Sequence, residues 1–289
     1  MSSRQKFALV TGCGKGGIGE ALVKEYTSYG IHSIATILPN ESSDHLVDAG
    51  ISWLTLDLRD ENSVVALKEK VQALTDGFLD ILVNNARHYN RLSGYTMTAI
   101  DTEITPVKRM FDVNLFGPIQ MVHHFHGMII QAQGTIVNIG SIGGVVPYLY
   151  GSSYNASKAA LHHWSNTLRV EMSPFRLDFI ISGEIGTNIL KSDIHRKLPA
   201  DSYYAPLAAE FEKHVQRTPQ TTDRFEYAAR VVAHSLKPSP SAWFWYGKTT
   251  SVIRFFDTFG WRTFFDFVFW RDFKLGKLQD AFLEKLKRD

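Results

Sequence analysis

Tyr154 and Lys158 stand four residues apart in the run Tyr154-Asn155-Ala156-Ser157-Lys158, with Ser141 upstream of them. On a helix, side chains at that spacing emerge on one face, one turn apart. A phenol is a poor proton donor at neutral pH, and an ammonium held beside a phenol favours the phenolate. A tyrosine–lysine pair is therefore a general acid or base suited to a carbonyl/alcohol couple, where a proton must reach or leave an oxygen. Such a pair still needs a hydride source and a pocket. The rest of the chain has to position both.

The elements that could do so read in order. Phe7 to Thr11 is a short apolar run ending in glycines and reads as a buried strand. Gly12, Gly14, Gly16, Gly17 and Gly19 follow, with Lys15 and Ile18 among them, and then a helical pattern over 20–29. Strand, glycine turn and helix together are the context in which glycines let a backbone approach a pyrophosphate at a helix N-terminus. A ligand-free glycine turn is the plainer alternative. Further strands are predicted at 31–36, 51–56, 79–83, 135–139, 177–181 and 243–246, and helices at 61–74, 105–131 and 154–172. Alternating strands and helices imply an α/β fold: a Rossmann-type doubly wound parallel sheet of about seven strands with helices on both faces. Ligands of such sheets bind outside the carboxyl ends of the strands. The glycine turn, Asp57, Asn85, Ser141 and Gly183 all follow a predicted strand end. Two regions are expected: a Rossmann-type domain over 1–247, including a substrate lid at 188–220, and an aromatic-rich helical extension over 248–289.

Composition narrows the function. The 289 residues carry a net charge of +2, so no electrostatic case exists for nucleic acid. The single cysteine, Cys13, forbids an intrachain disulfide and suits a reducing compartment. Residues 1–6 show no apolar leader, and no run is long and apolar enough to span a bilayer. A cytoplasmic protein is expected, with peripheral membrane association as an option raised by the tail.

The ordered set of motifs resembles the short-chain dehydrogenase/reductase family. It comprises Thr11 with the glycines to Gly19, Asn84-Asn85-Ala86, Asn114, Ser141, Tyr154 with Lys158, and Ser182-Gly183 with Thr187. The glycine loop, the run Met110 to Gly117 and the aromatic tail are similar to a fungal-type subgroup. That subgroup includes NADPH-dependent 1-acyldihydroxyacetone-phosphate reductases and relatives in secondary metabolism. The resemblance implies that Tyr154 exchanges a proton with the substrate oxygen, that Ser141 holds that oxygen, that Lys158 tunes Tyr154 and binds the nicotinamide ribose, and that Asn114 anchors a water linking Lys158 to solvent. It implies cofactor contacts from Gly12, Gly14, Lys15, Gly17, Ile18, Gly19, Asp57, Leu58, Asn85, Ala86, Gly183, Ile185 and Thr187, with Asp57 and Leu58 flanking the adenine. Three departures stand out: Arg87 replaces the family glycine after Asn85-Ala86, 88–94 resembles an insertion, and Ser182 replaces a proline.

The end of the second strand bears on the cofactor. An acid there would bond the ribose hydroxyls and repel a 2′-phosphate. The run Thr36-Ile37-Leu38-Pro39-Asn40 has none before Glu41, and Lys15 lies in the glycine turn. The reading favours NADPH/NADP+ over NAD(H). The expected reaction is the interconversion of a ketone and a secondary alcohol on a lipid-like or polycyclic substrate. A pathway-specific step on the same fold, or a silent nucleotide-binding scaffold, are the alternatives.

Ile189, Leu190, Ile194, Leu198, Tyr203, Tyr204 and Leu207 mark the lid region as a mobile cover for an apolar ligand, or as helices packed on the body. Nine aromatic residues fall between Val252 and Trp270, interleaved with Arg254, Asp257, Arg262 and Asp266. They admit three readings: a subunit interface in a homo-oligomer, peripheral membrane contact through 250–272, or packing over the pocket. His123, His124, His126, His162 and His163 read as structural or surface residues and not as metal ligands.

Overall fold

The structure, a computed structural model, describes residues 4–86, 96–172, 176–187, 193–261 and 263–287, with the backbone alone over 176–179. Arg87, the 88–94 stretch, Ile189, Leu190 and Arg262 lie outside the described residues.

The strands are β1 (Phe7–Val10), β2 (His32–Ile37), β3 (Ser52–Thr55), β4 (Ile81–Asn84), β5 (Thr135–Ile139), β6 (Arg176–Ser182) and β7 (Trp243–Tyr246). They form one seven-stranded sheet among the described residues, in the order β3-β2-β1-β4-β5-β6-β7, and every pairing is parallel. The order reverses between β1 and β4, which sets the crevice where ligands of such sheets bind. Strands β4 and β5 are buried along their whole length, as expected of central strands covered on both faces.

The helices are α1 (Ile18–Ser28), α2 (Asp44–Val47), α3 (Glu61–Thr75), α4 (Ile104–Phe111), α5 (Gly117–Ala132), α6 (Ser152–Glu171), α7 (Ala208–Val215), α8 (Arg224–Ser235), α9 (Thr250–Phe259), α10 (Phe264–Asp272) and α11 (Leu275–Leu286). On one face Leu22 and Tyr26 of α1 and Val231 of α8 pack on Val10 and Val83. On the other, Val71 of α3 and Phe125 of α5 pack on Leu9, Leu82 and Ile136. Local sequence sets the ends of these helices. Asp60 caps α3 by accepting from Asn62 N–H at 3.0 Å, and Asp223 caps α8 by accepting from Phe225 and Glu226 N–H at 2.8 and 3.1 Å.

The predicted helix over 105–131 is in fact two. A π-helical turn, Asp112–Phe116, separates α4 from α5. One extra residue in the turn reorients Asn114 relative to the α-helical pattern, and such bulges recur at functional sites. The hydrophobic periodicity of the run carries no sign of it.

Candidate active site

The site assembles at the carboxyl ends of β1, β4, β5 and β6. After β5, Ser141 is the N-cap of a short 3₁₀ turn, Ile142–Gly144. Its Oγ accepts from Gly143 N–H at 3.1 Å, which leaves the hydroxyl hydrogen to be donated elsewhere. Its own N–H donates to His162 Nε2 at 3.2 Å. Tyr154 and Lys158 lie on the first two turns of α6, as their spacing predicts. Lys158 is 2% exposed, and its Nζ donates to the carbonyl of Ile139 at 3.0 Å. The ammonium is thus drawn to the end of β5, behind Ser141.

Asn114 is buried in the π-turn. Its Nδ2 donates to Ser157 Oγ at 3.1 Å, and Ser157 Oγ donates to the carbonyl of Tyr154 at 2.8 Å. Its Oδ1 has no partner among the described residues. A second buried chain runs beneath the first. Asn84 Nδ2 donates to Asn138 Oδ1 at 2.8 Å, and Asn138 Nδ2 to Ser165 Oγ at 3.0 Å, tying β4, β5 and α6 together.

The glycine turn lies against the end of β4. Gly12 has φ of +73°, and a Cβ there would sit 2.6 Å from Ala86 Cα, so both conformation and space demand glycine. Asn85 Nδ2 donates to the carbonyls of Thr11 and Gly12 at 2.8 and 3.1 Å, and Thr11 Oγ1 accepts from the N–H groups of Asn85 and Ala86 at 3.0 and 2.9 Å. The Asn85 side chain therefore holds the turn in place. Gly14 and Gly17 close it with a 3.0 Å backbone bond, and no side chain caps α1 at Gly17. The first N–H groups of α1 thus have no side-chain acceptor there, as a pyrophosphate site requires. Lys15 is exposed in the turn, while Ile18 is buried in the core.

Glu20 accepts from Gly16 N–H and from Lys24 Nζ, both at 2.7 Å. Burial opposes its charge, but Lys24, the Gly16 N–H and Arg224 outweigh burial and hold it below its ordinary value. Burial pushes the Cys13 thiol up to about 12, so it is no nucleophile.

Several of the other expected cofactor residues have partners within the protein. The Asp57 carboxylate is engaged by Arg59, through Nε at 2.9 Å and Nη2 at 2.5 Å. Leu58 is buried, with its side chain against Gly117. Glu41 folds back: its Oε2 accepts from Leu38 N–H at 2.9 Å, and its Oε1 lies against Gly14. An acid is therefore next to the glycine turn although none lies on β2 itself. Gly183 is wedged between the ends of β6 and β7, where a Cβ would run into the carbonyl of Lys248. Ser182 bonds Tyr227 through its hydroxyl. Ile185 is buried and lines the cavity described next, and Thr187 is half-buried just beyond it.

Ser141, Tyr154 and Asn155 open onto one cavity of about 530 Å³. Its walls include Tyr148 and Tyr150 from the segment before α6, His214 and Arg217 from α7 and its exit, and Val252, Ile253, Phe265 and Phe269 from α9 and α10. The lid helices pack on the body: Phe211 and Val215 of α7 are buried with Tyr150, with Leu198 and Tyr204 beside them, whereas Tyr203 is exposed. The aromatic tail folds over the same cavity. Tyr148 meets Phe269 and Phe273 edge-on, each at 5.4 Å. Of the three readings of the tail, packing over the pocket describes its inner face. Its outer face exposes Phe255, Phe259, Trp261, Phe267 and Trp270.

His162, expected as a structural or surface residue, is a buried structural one that accepts from the Ser141 N–H, whereas the cavity residues Glu184 and Arg217 were not foreseen. His162 sits one turn beyond Lys158 on the same face of α6, so the spacing that pairs Tyr154 with Lys158 could have flagged it. Burial, with Lys158 adding to it, pushes His162 down to about 3, so the ring is neutral and Nε2 serves as an acceptor. Glu184 and Arg217 also line the cavity, and no local pattern announces them.

Comparison with known proteins agrees with this geometry. A family profile described as short chain dehydrogenase matches residues 6–198. The short-chain dehydrogenase virD of Hypocrea virens is 67% identical over 291 aligned residues, covering 100% of each chain. The NADPH-dependent 1-acyldihydroxyacetone phosphate reductase of Schizosaccharomyces pombe is 39% identical, over 70% of this chain and 69% of its own. Among solved structures, a short-chain dehydrogenase from Streptomyces avermitilis superposes with a TM-score of 0.74 at 25% identity, covering 87% of this chain and 91% of that one. With its parallel sheet, its glycine turn and the Ser141–Tyr154–Lys158 set, the chain belongs to the short-chain dehydrogenase family of oxidoreductases.

Proposed function

We propose that the protein is an NADPH-dependent short-chain reductase or dehydrogenase that interconverts a ketone and a secondary alcohol on a lipid-like or polycyclic substrate. The observation that carries this is the convergence of Ser141 and Tyr154 on one largely apolar cavity, with the Lys158 ammonium buried behind them. The nicotinamide, when bound, supplies or takes the hydride. The chain's own residues handle the oxygen. Tyr154 gives its phenolic proton to the oxygen as alkoxide character builds, or takes it in reverse. Ser141, its Oγ already accepting from Gly143, directs its hydrogen to the same oxygen. Asn114, with Oδ1 unpartnered among the described residues, fits the water anchor that the family uses for proton supply.

NADPH is favoured by Lys15 in the glycine turn, by the lack of an acid on β2, and by the NADPH dependence in the name of the fission-yeast relative. Glu41 is the one observation that pulls the other way. The tail from residue 248 belongs functionally to the same site as 1–247, because it closes the cavity. No helix among the described residues is long and apolar enough to cross a membrane. We propose that the outer aromatic face associates with a second copy or a lipid surface. Analytical ultracentrifugation and liposome co-sedimentation separate these two.

The decisive test is Tyr154→Phe. NADPH oxidation with a ketone that the wild type reduces should fall by at least about 10³-fold while NADPH still binds. Turnover within a few-fold of wild type would remove Tyr154 from the mechanism.

A further inference from the structure

The cavity is lined mainly by apolar and aromatic side chains. Set in that wall are two groups of opposite charge, Glu184 and Arg217. The fold consumes neither fully. Among the described residues the Glu184 carboxylate makes no hydrogen bond or ion pair. Arg217 spends Nη1 on His214, at 2.9 Å to both Nε2 and the carbonyl oxygen, while its Nε is buried without a partner among those residues. Its guanidinium lies 5.7 Å from the centre of the Tyr148 ring.

Other polar groups near this wall are engaged or neutral. Asp193 accepts from Thr96 N–H at 2.9 Å and pairs with Arg196 at 2.9 Å. Burial, with Arg217 adding to it, pushes His214 down to about 3, so it carries no charge at neutral pH. Burial raises the Glu184 carboxyl above its ordinary value, with Arg217 opposing that rise. The charged groups of the wall therefore offer one acceptor and one donor with little net charge, beside the Tyr150 hydroxyl, which is buried without a partner among the described residues. A phosphate or carboxylate on the substrate would gain Arg217 but face Glu184, and an ammonium would meet the reverse. A neutral group that both donates and accepts satisfies both, and its loss would leave buried polar groups unmatched.

We infer that Glu184 and Arg217 recognise a hydroxyl group carried by the substrate apart from its reacting carbonyl. This rests on the reductase reading above and narrows it to hydroxy-ketones with an apolar body. It also sets the pocket apart from one built for the acyl phosphate named for the fission-yeast relative.

The test uses the full chain, NADPH and a graded series of ω-hydroxyalkyl phenyl ketones with their deoxy counterparts. In the wild type the best hydroxylated member should exceed its deoxy counterpart by about 10- to 100-fold in kcat/KM, mostly through KM. Glu184→Leu and Arg217→Met should each bring that ratio toward one. Because Arg217 also ties the end of α7, Glu184→Leu decides the matter if Arg217→Met melts early. A wild-type ratio near one, or a ratio that survives Glu184→Leu, overturns the inference and leaves the reductase reading standing. No NADPH oxidation with any member of the series overturns both.

Discussion

Lowering the pH from about 7 to about 5 should destabilise this protein through one buried and one half-buried imidazole. His162 and His214 are each pushed from 6.5 down to about 3, first by burial and then by a neighbouring cation, Lys158 and Arg217 respectively. The folded values lie below the unfolded ones, so the unfolded chain takes up the proton first. Stability is complete above about pH 6.5 and declines as pH falls toward about 3. At about pH 5 an unfolded histidine is almost wholly protonated and the buried one is not. That difference costs about 2 kcal/mol per residue relative to pH 7, and about 4 kcal/mol for the pair at most. His214, half-buried on the cavity wall, contributes the smaller share. In a chain of this length 1 kcal/mol moves Tm by about 2 °C, so the two rings together account for a fall of up to about 8 °C. The assay is thermal unfolding by circular dichroism across that range for the wild type, His162→Gln, His214→Gln and the double variant. Glutamine at 162 can still offer an oxygen to the Ser141 N–H but does not titrate. The slope of Tm against pH should shrink by about 2 °C per pH unit in His162→Gln, whatever its absolute Tm. A slope equal to that of the wild type would refute the claim that this ring is held neutral.

Three further outcomes follow from the site. Glu41→Gln removes a negative charge lying against Gly14 and should tighten NADPH binding by about 3- to 10-fold with little change for NADH, read by cofactor fluorescence; equal changes for both would place Glu41 away from the ribose phosphate. Asn138→Ala breaks the buried Asn84–Asn138–Ser165 chain and should cost about 2–4 kcal/mol in urea unfolding, a cost that would be missing if those amides were idle. Gly12→Ala forces a Cβ onto Ala86 at a positive φ, so NADPH affinity should drop by at least about 10-fold; wild-type affinity would mean that the turn relaxes freely.

How much of this was legible in advance depended on whether the signal was local. The central strands were legible because they are short, largely apolar runs bounded by polar or glycine residues, and Phe7–Val10 and Thr135–Ile139 are found where their patterns put them. Tyr154 and Lys158 were legible because helical spacing alone brings them onto one face. Asn114 was singled out by resemblance, yet the π-turn that carries it was not foreseen, since one extra residue per turn barely disturbs a 3.6-residue period. Leu58 and Asp57 are expected at the adenine; Leu58 packs against Gly117, a tertiary neighbour that spacing along the chain does not encode, whereas Asp57 pairs with Arg59 only two residues on. Glu41 was read as lying past the strand end and so out of range. The turn after Ile37 brings its carboxylate back to Leu38 N–H and Gly14, a reversal invisible to counting along the chain.

The tail makes the same point about faces. Nine aromatics between Val252 and Trp270 announce burial or association, but the count says nothing about direction. Helix geometry divides them. Phe265, Phe269 and Phe273 fall at four-residue intervals and turn inward to Tyr148 and the cavity, whereas Phe267 and Trp270 turn outward. The pocket roof is thus built from the end of the chain, and its base from strand ends laid down much earlier. Phe265 and Phe269 line the cavity from the tail, and Ile142 and Val146 line it from the segment after β5; under the proposed function these four would set substrate size, while Ser141 and Tyr154 would carry the chemistry. Changes in the tail would then retune what enters without touching Ser141 or Tyr154. On the proposed function, that division would let one catalytic set serve different apolar substrates by repacking a single helical extension.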